Sequence, residues 1–171
     1  MLYSQEDKEK IVEFSKRALL NLISMQKIEF PTERVLHEFK GVKIVLNFNG
    51  KEMEEIVFPR IDSSLAENIV LGFEKVLKKI NISESEIGNV DLKISIFSYP
   101  SRILDSVEKK FELGKEGLVV EYMGYRGVLF PSQSYKDKIE FLETLCKEAG
   151  LTKDSWQNNK ALFYSFSVQE L

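Results

Sequence analysis

The residues best suited to chemistry stand close together late in the chain: Glu121, Tyr125, Arg126, Ser132 and Gln133. A guanidinium at the start of a strand can hold a carboxylate or phosphate in a two-pronged grip, so Arg126 leads this set as a ligand-binding candidate. Glu121 is spaced to sit across a turn from it. Two readings stand side by side. Either Glu121 and Arg126 belong to a ligand site whose mouth is shared with Tyr125, Ser132 and Gln133, or they form a structural cross-strand ion pair.

The other reactive types point to packing or solvent. Cys146 lies among Leu142 and Leu145 at helical spacing, which reads as a buried and inert thiol. His37, the single histidine, follows Pro31 with no Cys, Ser or Asp arranged around it, and reads as a surface or strand-start residue. Glu52, Glu54 and Glu55 alternate along a strand, which puts two of them on one face and the third opposite, the pattern of a solvated edge rather than a metal site. Trp156 precedes a polar turn and reads as a packing anchor. No acid, base and nucleophile constellation is legible, so no catalytic residue, metal ligand or cofactor is assigned.

These groups need elements to position them. Ser4 and Asp7 form a capping-box variant, and Ile11, Phe14, Ala18, Leu19, Leu22 and Met25 follow at spacings of three and four, predicting a helix over about residues 5–26. Gly41 to Asn47 alternates as a strand, Asn49-Gly50 is a hairpin turn, and Met53 to Phe58 is the return. Ser64 and Glu67 cap a second helix with a stripe from Leu65 to Ile80. Val90 to Phe97 alternates as a half-buried strand. Gly117 to Phe130 is a second hairpin with Met123-Gly124 at its tip. A third helix begins near Ser134, carries Ile139, Leu142, Leu145, Cys146 and Ala149 on its apolar face, and closes at Gly150. Ala161 to Val168 is a last strand. Strands and helices do not alternate as a doubly wound sheet requires, so the expectation is an α+β fold with a mixed, largely antiparallel sheet and packed helices. It is expected as a single domain over residues 1–171, with room for a small sub-lobe.

Composition narrows the function. At 171 residues, 43% hydrophobic and 30% charged, the chain has enough apolar mass for a globular core. A formal net charge of −3 argues against nucleic acid as a partner, since binding to phosphate backbones rests on a basic face. The lysines at Lys75, Lys78 and Lys79, and at Lys136 and Lys138, are interspersed with acids and read as solvated helix faces. The apolar runs are strand-sized and the amino terminus is polar, so neither a membrane span nor a signal peptide is expected. One cysteine excludes an internal disulfide and agrees with a cytoplasmic location.

The stretches Glu116 to Glu121 and Arg126-Gly127-Val128-Leu129-Phe130-Pro131 resemble the glycine-rich and Arg-Gly-Leu-Leu-Leu-Pro region of the AMMECR-one family, the domain named after the Alport syndrome, midface hypoplasia and elliptocytosis chromosomal region gene product. Phe141-Leu142, Leu145-Cys146, Ala149-Gly150-Leu151 and Trp156 resemble the family's next helix and tryptophan. Gly41-Val42, Leu65 to Ile69, and Leu92 to Ile96 with Pro100 fall in the order the family shows. The resemblance covers nearly the whole chain and is specific in its C-terminal half.

One departure bears on function. The family's Leu-Arg-Gly-Cys-Ile-Gly hexapeptide corresponds here to Met53-Glu54-Glu55-Ile56-Val57-Phe58. Arginine is replaced by Glu54, the first glycine by Glu55, the cysteine by Ile56 and the last glycine by Phe58. The family's Asp-Pro-Arg-Phe sequence is likewise absent, with Lys79-Ile80-Asn81-Ile82-Ser83 in its place. Ile56 offers no nucleophile, Glu54 and Glu55 repel anions, and Phe58 fills space, so any pocket there is expected to be smaller and more acidic. The resemblance then implies a non-catalytic binding or accessory module whose partner is a Memo-like or radical S-adenosylmethionine protein. The alternative is a small-molecule enzyme or ligand-binding domain that uses Arg126 and Glu121 on an anionic or nucleotide-like ligand.

Overall fold

Local signals set the boundaries of most elements. The structure of the chain, a computed structural model, describes residues 3–171. The first helix, α1, spans Gln5–Ile23, and the Ser4 side chain accepts from the Asp7 amide at its start, as the sequence predicts. Its end differs from the expectation of residue 26. Met25 takes a left-handed φ of 53°, and the amides of Met25 and Gln26 reach back to the carbonyls of Leu22 and Asn21. That pattern closes a helix whether or not the closing residue is glycine.

Two antiparallel strands follow, β1 (Gly41–Phe48) and β2 (Lys51–Val57), joined at Asn49-Gly50, where both residues have positive φ. Positive φ at both turn positions gives the tight two-residue turn whose twist matches the strands. The second helix, α2 (Leu65–Leu77), carries the reciprocal capping box of Ser64 and Glu67. The third strand, β3 (Val90–Phe97), lies antiparallel to β1 along its whole length.

The second half of the chain adds β4 (Ser101–Ile103), the single turn α3 (Val107–Lys110), β5 (Glu116–Tyr122), β6 (Tyr125–Leu129), α4 (Lys138–Glu148) and β7 (Leu162–Glu170). The tip at Met123-Gly124 again has two positive φ values. Helix α4 starts later than Ser134, because Asp137 supplies the cap by accepting from the Glu140 amide. Ile139, now in the first turn of the helix, is 45% exposed, while Phe141, Leu142, Leu145 and Cys146 are buried. Gly150, with φ 74°, closes the helix as expected. Neither β4 nor α3 figures among the predicted elements, since three or four residues show no period.

The fold is α+β with antiparallel strand pairing, and the contacts of the described residues separate into two compact units: residues 3–99 with 169–171, and residues 100–168. In the first, β1 is the middle of the three strands β2, β1 and β3, and α2 lies on it so closely that a Cβ at Gly72 would stand 2.6 Å from Ile44 Cδ1. Val42, Ile44 and Leu46 point into this core with Ile69 and Phe73, and Phe14 of α1 joins the same cluster. In the second, β7 is flanked by β4 on one side and β5 on the other, and β5 continues to β6. Helix α4 packs on β5 and β6, and Phe111, Phe141, Leu118, Val120 and Phe163 fill the space beneath it.

Candidate functional site

The five residues singled out by the sequence occupy one hairpin and the segment after it, but they do not converge. The two-residue turn sets Glu121 directly opposite Arg126 and Tyr122 opposite Tyr125. Arg126 Nε lies 3.5 Å from Glu121 Oε1, with both side chains about half exposed to solvent. An exposed pair of that length stabilises by roughly 0.2–1 kcal/mol, a small addition to a register the turn already sets. Side chains alternate along a strand. Tyr125 therefore points to the face opposite Arg126, on the side where its ring would stand 3.8 Å from a Cβ placed at Gly150.

Ser132 and Gln133 are used locally. The Ser132 hydroxyl lies 2.8 Å from that of Ser134 and accepts from the Ser134 amide. Gln133 folds over Gly114 and donates from Nε2 to its carbonyl at 3.5 Å. A shared cleft mouth of Tyr125, Ser132 and Gln133 with the ion pair is not what these contacts build.

The segment Met53 to Phe58, which the family resemblance sets against the cysteine hexapeptide, lies in β2 and the residue after it. Glu55 faces α2 and meets Lys79 at 2.7 Å and Lys75 at 3.1 Å. Lys79 Nζ also donates to the Glu54 carbonyl, and Lys43 pairs with the Glu54 carboxylate at 2.8 Å. The acidic surplus expected here is thus answered by three lysines, two of them reaching across from α2 and its C-terminal extension. Phe58 packs edge-on against Phe97, with ring centroids 5.5 Å apart.

The hydrogen bond from Lys79, together with the Lys75 contact, holds the Glu55 carboxyl below its usual range against the opposing effect of partial burial. A carboxyl depressed in the folded state stabilises the fold above the unfolded value, about 4.3 for glutamate, and loses that contribution as pH falls through the folded value. The expected result is that Glu55→Gln is less stable than the natural chain at pH 7, and that the gap narrows as pH is lowered below that value. Urea midpoints measured across this range check it; a gap independent of pH would show that Glu55 contributes by packing alone.

The remaining sequence candidates behave as expected. Cys146 is buried, and that burial pushes its thiol pKa up, away from nucleophilic reactivity. His37 is exposed, and a nitrogen of its ring lies 2.9 Å from the Pro31 carbonyl. Trp156 packs against the core beneath α4. It also lines a groove that the sequence reading did not find, formed by residues 102–108 of β4 and α3 together with residues 156–163. None of Glu121, Tyr125, Arg126, Ser132 or Gln133 lines this groove. The overlooked signal was the single arginine of segment 100–108, Arg102, placed between Pro100 and the acidic pair Asp105 and Glu108. Among the described residues no helix is long and apolar enough to cross a membrane.

An α+β architecture with a capped helix over a three-stranded antiparallel sheet, and a Met-Gly hairpin under a second helix, defines a class of protein that comparison identifies. Residues 78–171, more than half of the chain, match the AMMECR1 family model, and the chain belongs to that family. The matched span begins at the C-terminal end of α2, after β2. A Methanosarcina mazei protein is 30% identical over 145 residues, covering 79% of this chain and 72% of that protein. A Methanococcus aeolicus protein is 34% identical over 96 residues, 52% of this chain, and the match spans only 48% of that relative's length. The crystal structure of the uncharacterized protein PH0010 from Pyrococcus horikoshii superposes with a TM-score of 0.78 over 98% of this chain and 91% of that one. At 24% identity that likeness bears on the fold alone.

Proposed function

We propose that this chain is a non-catalytic AMMECR1-type module that binds a partner protein through the tip of the β5–β6 hairpin. The observation that carries the reading is the segment in place of the cysteine hexapeptide: Glu55 is clamped by Lys75 and Lys79, Phe58 is packed on Phe97, and no thiol or other nucleophile stands there. A scaffold kept while its reactive centre is replaced by packing and ion pairs fits binding better than turnover. The hairpin offers the contact. Met123 is 78% exposed and Tyr125 55% exposed, and both ride on a tight turn that loses little freedom when bound. Tyrosine, methionine and arginine are the residue types that interfaces favour. Glu121 and Arg126, on the other face, would set orientation at the rim.

The partner that the family resemblance implies is a Memo-like or radical S-adenosylmethionine enzyme with an apolar hollow for the tip. Tagged chain purified from its native host is expected to bring down such a protein in stoichiometric amount. Met123→Asp combined with Tyr125→Ala should weaken the association by at least about thirtyfold, the effect of losing a binding hot spot, while leaving thermal unfolding unchanged. Recovery of the partner at full yield by the doubly substituted hairpin would overturn the assignment. The alternative, an anionic or nucleotide-like ligand held by Arg126 and Glu121, draws no support from a guanidinium already facing a carboxylate.

A further inference from the structure

Away from the hairpin, the second unit carries an open groove of about 710 Å³, a volume suited to a small molecule. Ile103, Val107 and Phe163 give it an apolar wall, and Leu104, 87% exposed, stands at its rim. Three charged side chains line it: Arg102, Asp105 and Glu108. Asp105 already accepts from the Ser106 amide at 2.8 Å and lies 3.7 Å from Lys110. The amide of Asn158 is also engaged, donating to the Tyr122 hydroxyl and accepting from the Lys160 amide. What is left is a guanidinium and a carboxylate, Arg102 and Glu108, that share one groove and form no ion pair among the described residues.

A second observation concerns Trp156. It lines the same groove, and its indole N–H is buried with no acceptor among the described residues. Such a donor gains from any acceptor brought beside it. Charge selects the ligand. With one cation and two carboxylates, the groove penalises a simple anion, and Arg102 penalises a simple cation. A molecule that carries both charges meets both demands, and the apolar wall accepts its body.

We propose that this groove binds a small zwitterion with an apolar side chain, an α-amino acid or close analogue. Its carboxylate lies at Arg102, its ammonium at Glu108 and its side chain along Ile103, Val107 and Phe163. The groove shares no lining residue with the hairpin, which meets it through the Tyr122–Asn158 hydrogen bond, and the proposal does not rest on the partner assigned to the hairpin tip.

Trp156 is the chain's single tryptophan, so its fluorescence and its one indole N–H resonance report the groove directly. Titration of the full chain with L-phenylalanine is expected to give a saturable change in both signals at millimolar concentration or below. 3-Phenylpropionate, which lacks the ammonium, and phenethylamine, which lacks the carboxylate, should each bind at least about tenfold more weakly, a loss of about 1.4 kcal/mol. Arg102→Gln and Glu108→Gln should weaken L-phenylalanine by a similar factor. Arg126→Gln, on the hairpin, should leave the titration unchanged. The absence of a saturable change, equal binding of 3-phenylpropionate, or binding that survives both groove substitutions would overturn the proposal. Unaltered emission of the unliganded variants confirms that they are folded.

Discussion

Phe141→Ala is expected to destabilise the second unit by about 3–5 kcal/mol, the usual cost of truncating a fully buried phenylalanine. Phe141 is completely buried on the inner face of α4. Its ring lies 5.4 Å from that of Phe111 and 5.0 Å, edge-on, from that of Tyr135. Truncation therefore opens a cavity and removes two aromatic contacts, each worth about 0.5–1.5 kcal/mol beyond burial. The surroundings can collapse little, because α4 is fixed at one end by the Asp137 cap and at the other by Gly150. Against a total stability of about 5–15 kcal/mol, the loss is large. Urea unfolding followed by Trp156 fluorescence reads this unit, since Trp156 packs on the same cluster. A shift below about 1.5 kcal/mol, nearer the cost of losing a single methyl group, would mean that the core is not centred on Phe141.

Gly127→Ala is expected to cost about 1–3 kcal/mol by overpacking. The backbone at Gly127 is ordinary strand, so the constraint is space. A Cβ there would come within 2.7 Å of Ala149 Cβ and 2.9 Å of both the Ala149 nitrogen and the Leu145 carbonyl oxygen. Two of these three are helix backbone, which cannot rotate aside, so α4 must lift from β6. The adjacent tip glycine makes a useful contrast. Gly124 has open space around it but a φ of 83°, so its requirement is conformational. Combining Gly127→Ala with Ala149→Gly should recover only part of the loss, since the Leu145 carbonyl stays in place. Full recovery would locate the whole clash in the Ala149 methyl, and no loss in the single variant would show that α4 moves freely on the sheet.

The tests bear differently on function. A module that acts through its hairpin should tolerate changes in the groove at Arg102 and Glu108, and a ligand in the groove should ignore Met123 and Tyr125. Should both surfaces prove active, the second unit would present a protein contact and a small-molecule site built from different residues.

Much of the fold was legible in the sequence because its signals act over a few residues. Asn49-Gly50 and Met123-Gly124 mark their turns through the backbone conformations they tolerate, and Ser64 with Glu67 and the closing Gly150 mark helix ends through hydrogen bonds made within one turn. Burial of Val42, Ile44 and Leu46 followed from strict alternation, and the inert Cys146 from its spacing with Leu142 and Leu145. Helix ends differ where two local signals compete: Met25 closes α1 without being glycine, and Asp137 rather than Ser134 caps α4, with Ile139 exposed in its first turn.

The candidate site was legible only in part. The register that sets Glu121 against Arg126 follows from the length of the turn, so their meeting was foreseeable, whereas the parting of Tyr125 from Arg126 to opposite faces is decided by strand alternation. Residue identities and contacts a few positions apart were enough to give the family, the element order and both hairpins. Tertiary structure alone decided that Lys75 and Lys79 neutralise Glu55 from 20 and 24 residues away, that Phe58 meets Phe97, and that Arg102, Glu108 and Trp156 share a groove. The physical reason is that such meetings are fixed by how helices and strands stack, and the side chains involved leave no periodic trace in the chain that carries them.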